Sequence, residues 1–442
     1  MNNDMFQICP LDGRYSDIKE LLSPFFSEYS YFKYRVFVEI KWLNYLINNK
    51  LINGDINKIN LIYDKFNIDS FNKIKIEESI TKHDVKAIEY FIDKELKKMD
   101  LNNLVSYVHF GLTSEDINNT AYALMIKDFL DNVYYIKIKE FLLYLKDLSK
   151  SYKNIAILSH THGQAASPTT IGKELKIYVY RIEEELKKLK SIKIKAKFNG
   201  ATGNYSAMHV AYPNINVESF SKKFIENLHL TFNPLTTQIE NHDYIVSIVD
   251  IVRHINNIII DLNLDMWLYI SYGYFKLKVV NNEVGSSTMP HKVNPINFEN
   301  SESNMETSNS LLMMLSNKLP RSRMQRDLSD SSTLRNLGIA FGYSIQGIKE
   351  TLKGLNRVSV NLEVINNELE NNYEILAEAI QTILRKYNIS NAYEKLKELT
   401  RGKKITKEIL NEFINSLDID EKDKKNLINL KPKDYIGLAN KL

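Results

Sequence analysis

The strongest constraint on this chain is an uninterrupted apolar period running from Tyr244 to Ile270. Ile245, Ile248, Val249, Val252, Ile255, Ile259, Leu262 and Met266 recur at three- and four-residue steps, the spacing that lines one face of an α-helix. Asp250, Arg253, Asn256 and Asn263 interleave with them, and neither Pro nor Gly breaks the run. Asn297 to Leu319, just after Pro295, and Lys173 to Ile194 repeat the pattern. With little strand signal elsewhere, the chain reads as all-α, a bundle of long helices.

The remaining segments set expectations for domains and partners. A polar turn, Gly111 to Asp116, suggests a boundary near residue 108, and a second near 356 separates the long helices from shorter ones. The expected division is 1–108, 109–356 and 357–442. The 58 basic and 54 acidic residues leave a formal charge of +4, too even for a nucleic-acid coat. The Lys-rich run from Lys187 to Lys197 reads as a solvated helix face and its exit. Cys9 is the only cysteine, which excludes an intrachain disulfide and a Cys-based zinc site and suits a cytoplasmic protein. The stretch MNNDMFQICPLDGRY has no cationic segment leading into an apolar run, so no secretory signal is expected. The most apolar stretch, Met266 to Phe275, is too short to cross a bilayer.

Three segments carry chemistry. Gly285 to Pro295, GSSTMPHKVNP, has Pro at 290 and 295 and cannot be a core helix or a central strand. Its hydroxyls, with Lys292 and Asn294 close behind, suit a lid that brings donors to an anion, or an ordinary polar loop. Ser159 to Gln164, SHTHGQ, offers His160 and His162, without an adjoining acid or cysteine to complete a metal site. Thr81 to Tyr90, TKHDVKAIEY, becomes helical from about Asp84, and His83 with Asp84 reads on its own as a helix N-cap pair.

Together these segments resemble the fumarase/aspartase superfamily, whose members form fumarate by anti β-elimination, and the lid matches over eleven residues. PLDGRY, KHDVKAIEY, the His291-Lys292-Val293 of the lid and ENNYEILAEAIQT point to its bacterial-type adenylosuccinate lyases. The resemblance runs from PLDGRY to YEKLKELTRGK and implies three helical domains, the central one the core of a homotetramer whose active sites are shared between subunits. It implies fumarate release from adenylosuccinate, giving AMP, and from the succinyl-aminoimidazole-carboxamide ribotide in purine synthesis. Ser286 inherits the role of general base and His162 that of general acid.

The rest of the implied site binds substrate. Ser287, Lys292 and Asn294 meet the substrate carboxylate region, with Val293 and Asn300 beside them. Thr113 and Ser114 form the dicarboxylate pair, and Gln238 supplies an amide contact. Lys82, His83 and Asp84 lie at the nucleotide phosphate, which Arg14, Tyr15, Arg326, Ser331, Ser332, Thr333, Leu334 and Arg335 complete. Two departures stand out. Lys82 replaces a more familiar Asn or Arg, and Ala165-Ala166 follow Gln164 where Pro is common, which softens the turn. No cofactor, metal, nucleic acid or membrane is implied, because the elimination needs only positioned acids, bases and anion contacts. Another fumarate-forming lyase of the argininosuccinate lyase or fumarase type, and a catalytically inactive structural homologue, remain as alternatives.

Overall fold

The computed structural model describes residues 7–278, 288–289, 291–400 and 405–442. Among them helices dominate, and the strands form three two-stranded sheets. The expected long helices are present as Asp243–Ser271, Ile296–Lys318 and Ile171–Ser191, and Glu28–Asn48 and Leu337–Asn356 are of similar length. No helix of the described residues is long and apolar enough to cross a membrane.

Local chemistry sets the helix limits. The helix Ile171–Ser191 starts where the Thr170 hydroxyl accepts the Lys173 N–H at 3.2 Å. The helix Asp243–Ser271 ends in paired bonds from Gly273 N–H to Ile270 O (3.0 Å) and from Tyr274 N–H to Tyr269 O (2.8 Å). That closure requires a left-handed residue after the helix, and Gly273, at φ +77°, supplies it without a Cβ penalty.

The chain divides into two compact units. The first comprises Met1–Ile138, Glu185–Asn257 and Ser303–Gly347. Its core includes rings from distant segments: Trp42 packs on Phe198 with centroids 4.9 Å apart, and Phe198 on Phe224 at 4.5 Å. The Trp42 indole donates to Phe110 O at 3.0 Å, which ties the polar turn after residue 110 to this core. Strands β3 (Lys195–Ala196) and β4 (Thr231–Phe232) pair in parallel.

The second unit comprises Lys139–Glu184, Ile258–Glu302 and Ile348–Leu442. It contains the hairpin of β1 (Ala156–Thr161) and β2 (Gln164–Thr170), and the antiparallel pair of β5 (Phe275–Leu277) with β6 (Val358–Val360).

Asn256 and Asn263, which interleave in the sequence as polar residues, are buried. In the first unit Asn256 donates to Ser308 and Asn309, both at 3.1 Å, and accepts from the Ser344 hydroxyl at 2.7 Å. In the second unit Asn263 donates to Ser301 at 2.9 Å and accepts from Thr351 at 3.0 Å, while Ser301 and Thr351 bond each other at 2.8 Å. Each asparagine thus satisfies both ends of its amide inside the core, as a buried polar group must. The two layers are seven residues apart on every helix: Asn256 and Asn263, Ser301 and Ser308, Ser344 and Thr351. A helix slipped by one residue would break a layer, so these bonds specify register as well as stability.

We predict that Asn263→Leu lowers the thermal midpoint, because two buried hydroxyls each lose a partner at a cost of about 1–3 kcal/mol. Replacing the layer together, as Asn263→Leu with Ser301→Ala and Thr351→Val, should recover most of the loss. A triple variant less stable than the single one would contradict this account.

Candidate active site

In the first unit the site starts from one buried carboxylate. Thr113 caps the helix Ser114–Phe129, and Asp116 closes the capping box by accepting the Thr113 N–H at 2.9 Å. The same carboxylate accepts the N–H of Asn199 at 3.0 Å and of Gly200 at 3.2 Å, and pairs with Lys197 Nζ at 2.8 Å. Lys197, expected in a solvated run, is fully buried with Asp116 (0% side-chain exposure for each). The lysine also donates to Gly200 O at 3.0 Å, and Asn119 brackets its backbone, accepting from Lys197 N–H at 2.8 Å and donating to Lys197 O at 3.1 Å. Burying two charges costs several kcal/mol per ion, which the ion pair itself, the bond to Gly200 O and the backbone N–H groups that bond Asp116 offset here. Thr113 and Ser114 are held, partly exposed, at a helix start whose dipole favours an anion.

Glu115 and Arg326 extend this core to the next expected contacts. The buried Glu115 carboxylate lies 3.3 Å from Arg326 Nη2 and accepts from Asn118 at 3.3 Å. Arg326 Nη1 donates to Gln238 Oε1 at 3.0 Å, and Gln238 Nε2 donates to Ala201 O at 2.9 Å, so the amide has one orientation. Burial pushes the Glu115 carboxyl up, and the Arg326 charge opposes it. Beside them His242 Nε2 lies 3.3 Å from Asp330 Oδ2, and its backbone N–H donates to Glu240 at 2.7 Å. Burial works to lower the His242 pKa, but the bond to Asp330 and the charges of Glu240 and Glu115 win and raise it. Burial likewise works to raise Asp330, and His242 with the Ser331 N–H holds it below the usual carboxylate range.

Asp330 also fixes the start of Ser331 to Arg335 by accepting the Ser331 N–H at 2.7 Å. Ser332 and Arg335 are exposed, and Ser331 and Thr333 are half-buried. Leu334 is buried, so its side chain serves the core. Arg335 Nη2 lies 3.6 Å from Asp84 Oδ2. His83 is the N-cap expected of it: its Nδ1 accepts the Lys86 N–H at 3.1 Å, which puts the proton of a neutral ring on Nε2. Lys82 closes the preceding helix at φ +54°, a left-handed position that Asn adopts more readily. Arg14 is exposed, and Tyr15 accepts from Asn304 at 3.5 Å.

His162 belongs to the second unit. It forms the tip of the β1–β2 hairpin with Gly163, at φ +54° and +71°, the two positive values of a type I′ turn. Ala165 pairs with His160 and Ala166 with Ser159, and the register shifts between Ser159 and Ile157. The His160 ring stacks on Tyr272 (centroids 4.9 Å, planes 11° apart) and its Nε2 lies 3.6 Å from Glu368. His160 therefore clamps the strand that leads into the His162 turn, and no group of three metal-ligating side chains occurs among the described residues. Lys292 and Val293 are exposed, and Asn294 and Asn300 are half-buried. Ser286 and Ser287 lie outside the described residues.

A family model described as "Lyase" matches residues 14–307, and one described as "Adenylosuccinate lyase C-terminal" matches residues 322–436. The chain is 48% identical to the adenylosuccinate lyase of Buchnera aphidicola subsp. Schizaphis graminum, covering 100% of this chain and 98% of that one. It is 44% identical to that of Escherichia coli strain K12, covering 98% and 96%. The chain belongs to the adenylosuccinate lyase family. A fumarate lyase from Mesorhizobium sp. BNC1 shares the fold, with TM-score 0.77, 16% identity and 96% of each chain covered. So does a 3-carboxy-cis,cis-muconate lactonizing enzyme from Pseudomonas putida, with TM-score 0.75, 17% identity and coverage of 99% and 96%.

Several residues that organise this member of the adenylosuccinate lyase family escaped the sequence reading. Arg35 and Glu39 lie on the buried stripe Phe32, Arg35, Val36, Glu39, Ile40, Leu43, and an ionisable residue on an apolar helix face is a signal in itself. Glu39 accepts from the His109 ring at 2.6 Å. The pairing of Asp116 with Lys197, and of His242 with Asp330, spans distant segments and has no local signal.

Two predictions follow from this network. His242 contributes stability fully below its ordinary pKa of 6.5 and loses it as pH rises through its raised folded value. Asp330 contributes fully above 3.8 and loses it as pH falls through its lowered folded value. The thermal midpoint should therefore decline above neutral pH, and His242→Gln should be less stable at pH 6 with a flatter alkaline limb. Parallel pH profiles for variant and wild type would refute the pairing. Arg326→Lys keeps the charge but loses the fork that spans Glu115 and Gln238. It should weaken nucleotide binding about tenfold, read as KM or as a dissociation constant, and unchanged affinity would remove Arg326 from the site.

Proposed function

We propose that this chain catalyses the elimination of fumarate from adenylosuccinate, giving AMP, and from the succinyl-aminoimidazole-carboxamide ribotide. The observation that carries the reading is identity of 44–48% with adenylosuccinate lyases over 98–100% of the chain. The arginine, glutamine and hydroxyl groups assembled around Arg326 and Arg335 support it, because guanidinium forks suit a phosphate.

In this proposal Ser286 takes the proton from the succinyl carbon next to a carboxylate. A serine hydroxyl is too weak a base unless nearby cationic charge and N–H donors favour its ionised form in a site closed to water. Lys292 supplies that charge and, with Asn294, stabilises the doubly charged aci-carboxylate as it develops. The electron pair then expels the purine nitrogen, and His162 protonates that nitrogen as the C–N bond breaks. Thr113 and Ser114 hold the dicarboxylate, and Gln238 orients the substrate. With its single cysteine the chain suits a reducing cytoplasm, the compartment we assign it.

We further propose a homotetramer in which each active site draws on more than one chain. The helix Asp243–Ser271 supports this reading by leaving Leu264, Trp267 and Leu268 exposed at three- and four-residue steps. Ile177 and Tyr180 are likewise exposed on Ile171–Ser191. Such apolar rows are suited to symmetric self-association.

The direct test is fumarate release from adenylosuccinate by the purified protein. Ser286→Ala should retain no more than a few per cent of kcat with substrate binding preserved. His162→Gln should lose about 10²–10⁴-fold. Co-refolding the two dead variants at equal amounts should restore roughly a quarter of wild-type activity, because random mixing leaves that share of sites with both residues intact. Mixed oligomers that stay inactive would defeat the shared site, and a wild-type protein that releases no fumarate would defeat the function.

A further inference from the structure

Arg35 is the least accounted-for charge in the first unit. Its side chain is 1% exposed, in the middle of the helix Glu28–Asn48. Only Nη2 forms a hydrogen bond, to Asp84 Oδ2 at 2.8 Å, while Nε and Nη1 have no hydrogen-bond partner among the described residues. The cation rests instead on ring faces, 3.6 Å from the Tyr31 centroid and 5.1 Å from Phe32. A buried guanidinium placed only for packing is an expensive choice, since an apolar side chain of similar volume would serve as well.

The partner explains the placement. Asp84 Oδ1 accepts the Val85 N–H at 2.9 Å, and Oδ2 is shared between Arg35 at 2.8 Å and Arg335 at 3.6 Å. Two guanidinium groups thus face one carboxylate and leave a net positive charge. Arg335 is 45% exposed and borders a pocket of about 160 Å³ lined also by Tyr31, Tyr122 and Leu334. Glu28, the acid that lines this pocket, lies 2.8 Å from Lys75 Nζ. The pocket is smaller than the ~300 Å³ or more of a whole-ligand site, so it would take only one group of a ligand.

A carboxylate beside a phosphate-binding arginine is a problem unless it is neutralised. Left alone, Asp84 would hold Arg335 in an ion pair and repel an incoming dianion. With Arg35 beneath it, Asp84 orients Arg335 while its charge is already spent. We propose that Arg35 is a positioning residue for nucleotide-phosphate recognition: it neutralises Asp84, so that Asp84 orients Arg335 without competing with the phosphate. This rests on the functional reading above, and it gives Asp84 a supporting role in place of direct substrate contact.

Equilibrium binding of AMP and of adenosine, measured by titration calorimetry, tests this without turnover. Wild type should prefer AMP. Arg35→Lys keeps a cation but withdraws it from Asp84, and should cost AMP affinity about tenfold while adenosine changes less than twofold. In an Arg335→Ala background the same substitution should cost AMP less than twofold further, because the effect acts through Arg335. Should Arg35→Lys fail to fold, Asp84→Asn serves: its shift in the AMP-to-adenosine preference should likewise vanish when Arg335 is Ala. Equal losses for the two ligands overturn the proposal, as does a loss that persists undiminished without Arg335, or a wild type that binds AMP no tighter than adenosine. A wild type that prefers AMP yet releases no fumarate would fault the functional reading alone.

Discussion

The first unit is organised around the buried pair of Asp116 and Lys197. One carboxylate closes the cap of the helix Ser114–Phe129, gathers the backbone of Asn199 and Gly200, and holds a lysine that itself bonds Gly200 O. These segments lie about eighty residues apart in the chain, so no local propensity would join them. Charges this deeply buried tolerate only one arrangement, because any other leaves one of them without a partner in a medium of low dielectric. Glu115, one residue before the hub, then places Arg326, and Arg326 places Gln238. Pre-organisation of this kind suits a reaction that depends on charge developing at a fixed point.

What the sequence revealed and what it concealed divide along a physical line. The long helices were legible because the apolar period of 3.6 residues is written into consecutive positions, as in Ile245 to Met266. The N-cap at His83 was legible because capping is a relation between near neighbours. Asn256 and Asn263 were misleading, since a polar residue on a helix defaults to solvent and only three-helix packing reveals the buried layers. Lys197 misled in the same way, hidden at the end of a run of exposed lysines. The hairpin that presents His162 was missed because its strands are short and its turn depends on a left-handed histidine, a conformation that sequence patterns rarely betray.

Charge distribution joins these observations. Cations at Arg35, Arg326 and Arg335 are each held by a carboxylate that is itself buried or already bonded. Each arginine is thereby oriented before any ligand arrives, which lowers the ordering cost of binding an anion. The same logic explains why Leu334 interrupts the polar run from Ser331 to Arg335: its side chain anchors the segment in the core while its neighbours face outward.

The claim that Asp116 and Lys197 hold the site together is tested most directly by amide hydrogen exchange on the full-length protein and on Lys197→Met. The account predicts slow exchange at Thr113, Asn199 and Gly200 in the wild type, with all three losing protection together in the variant while the helix Asp243–Ser271 stays protected. Unchanged protection at those three amides in a folded Lys197→Met protein would contradict it.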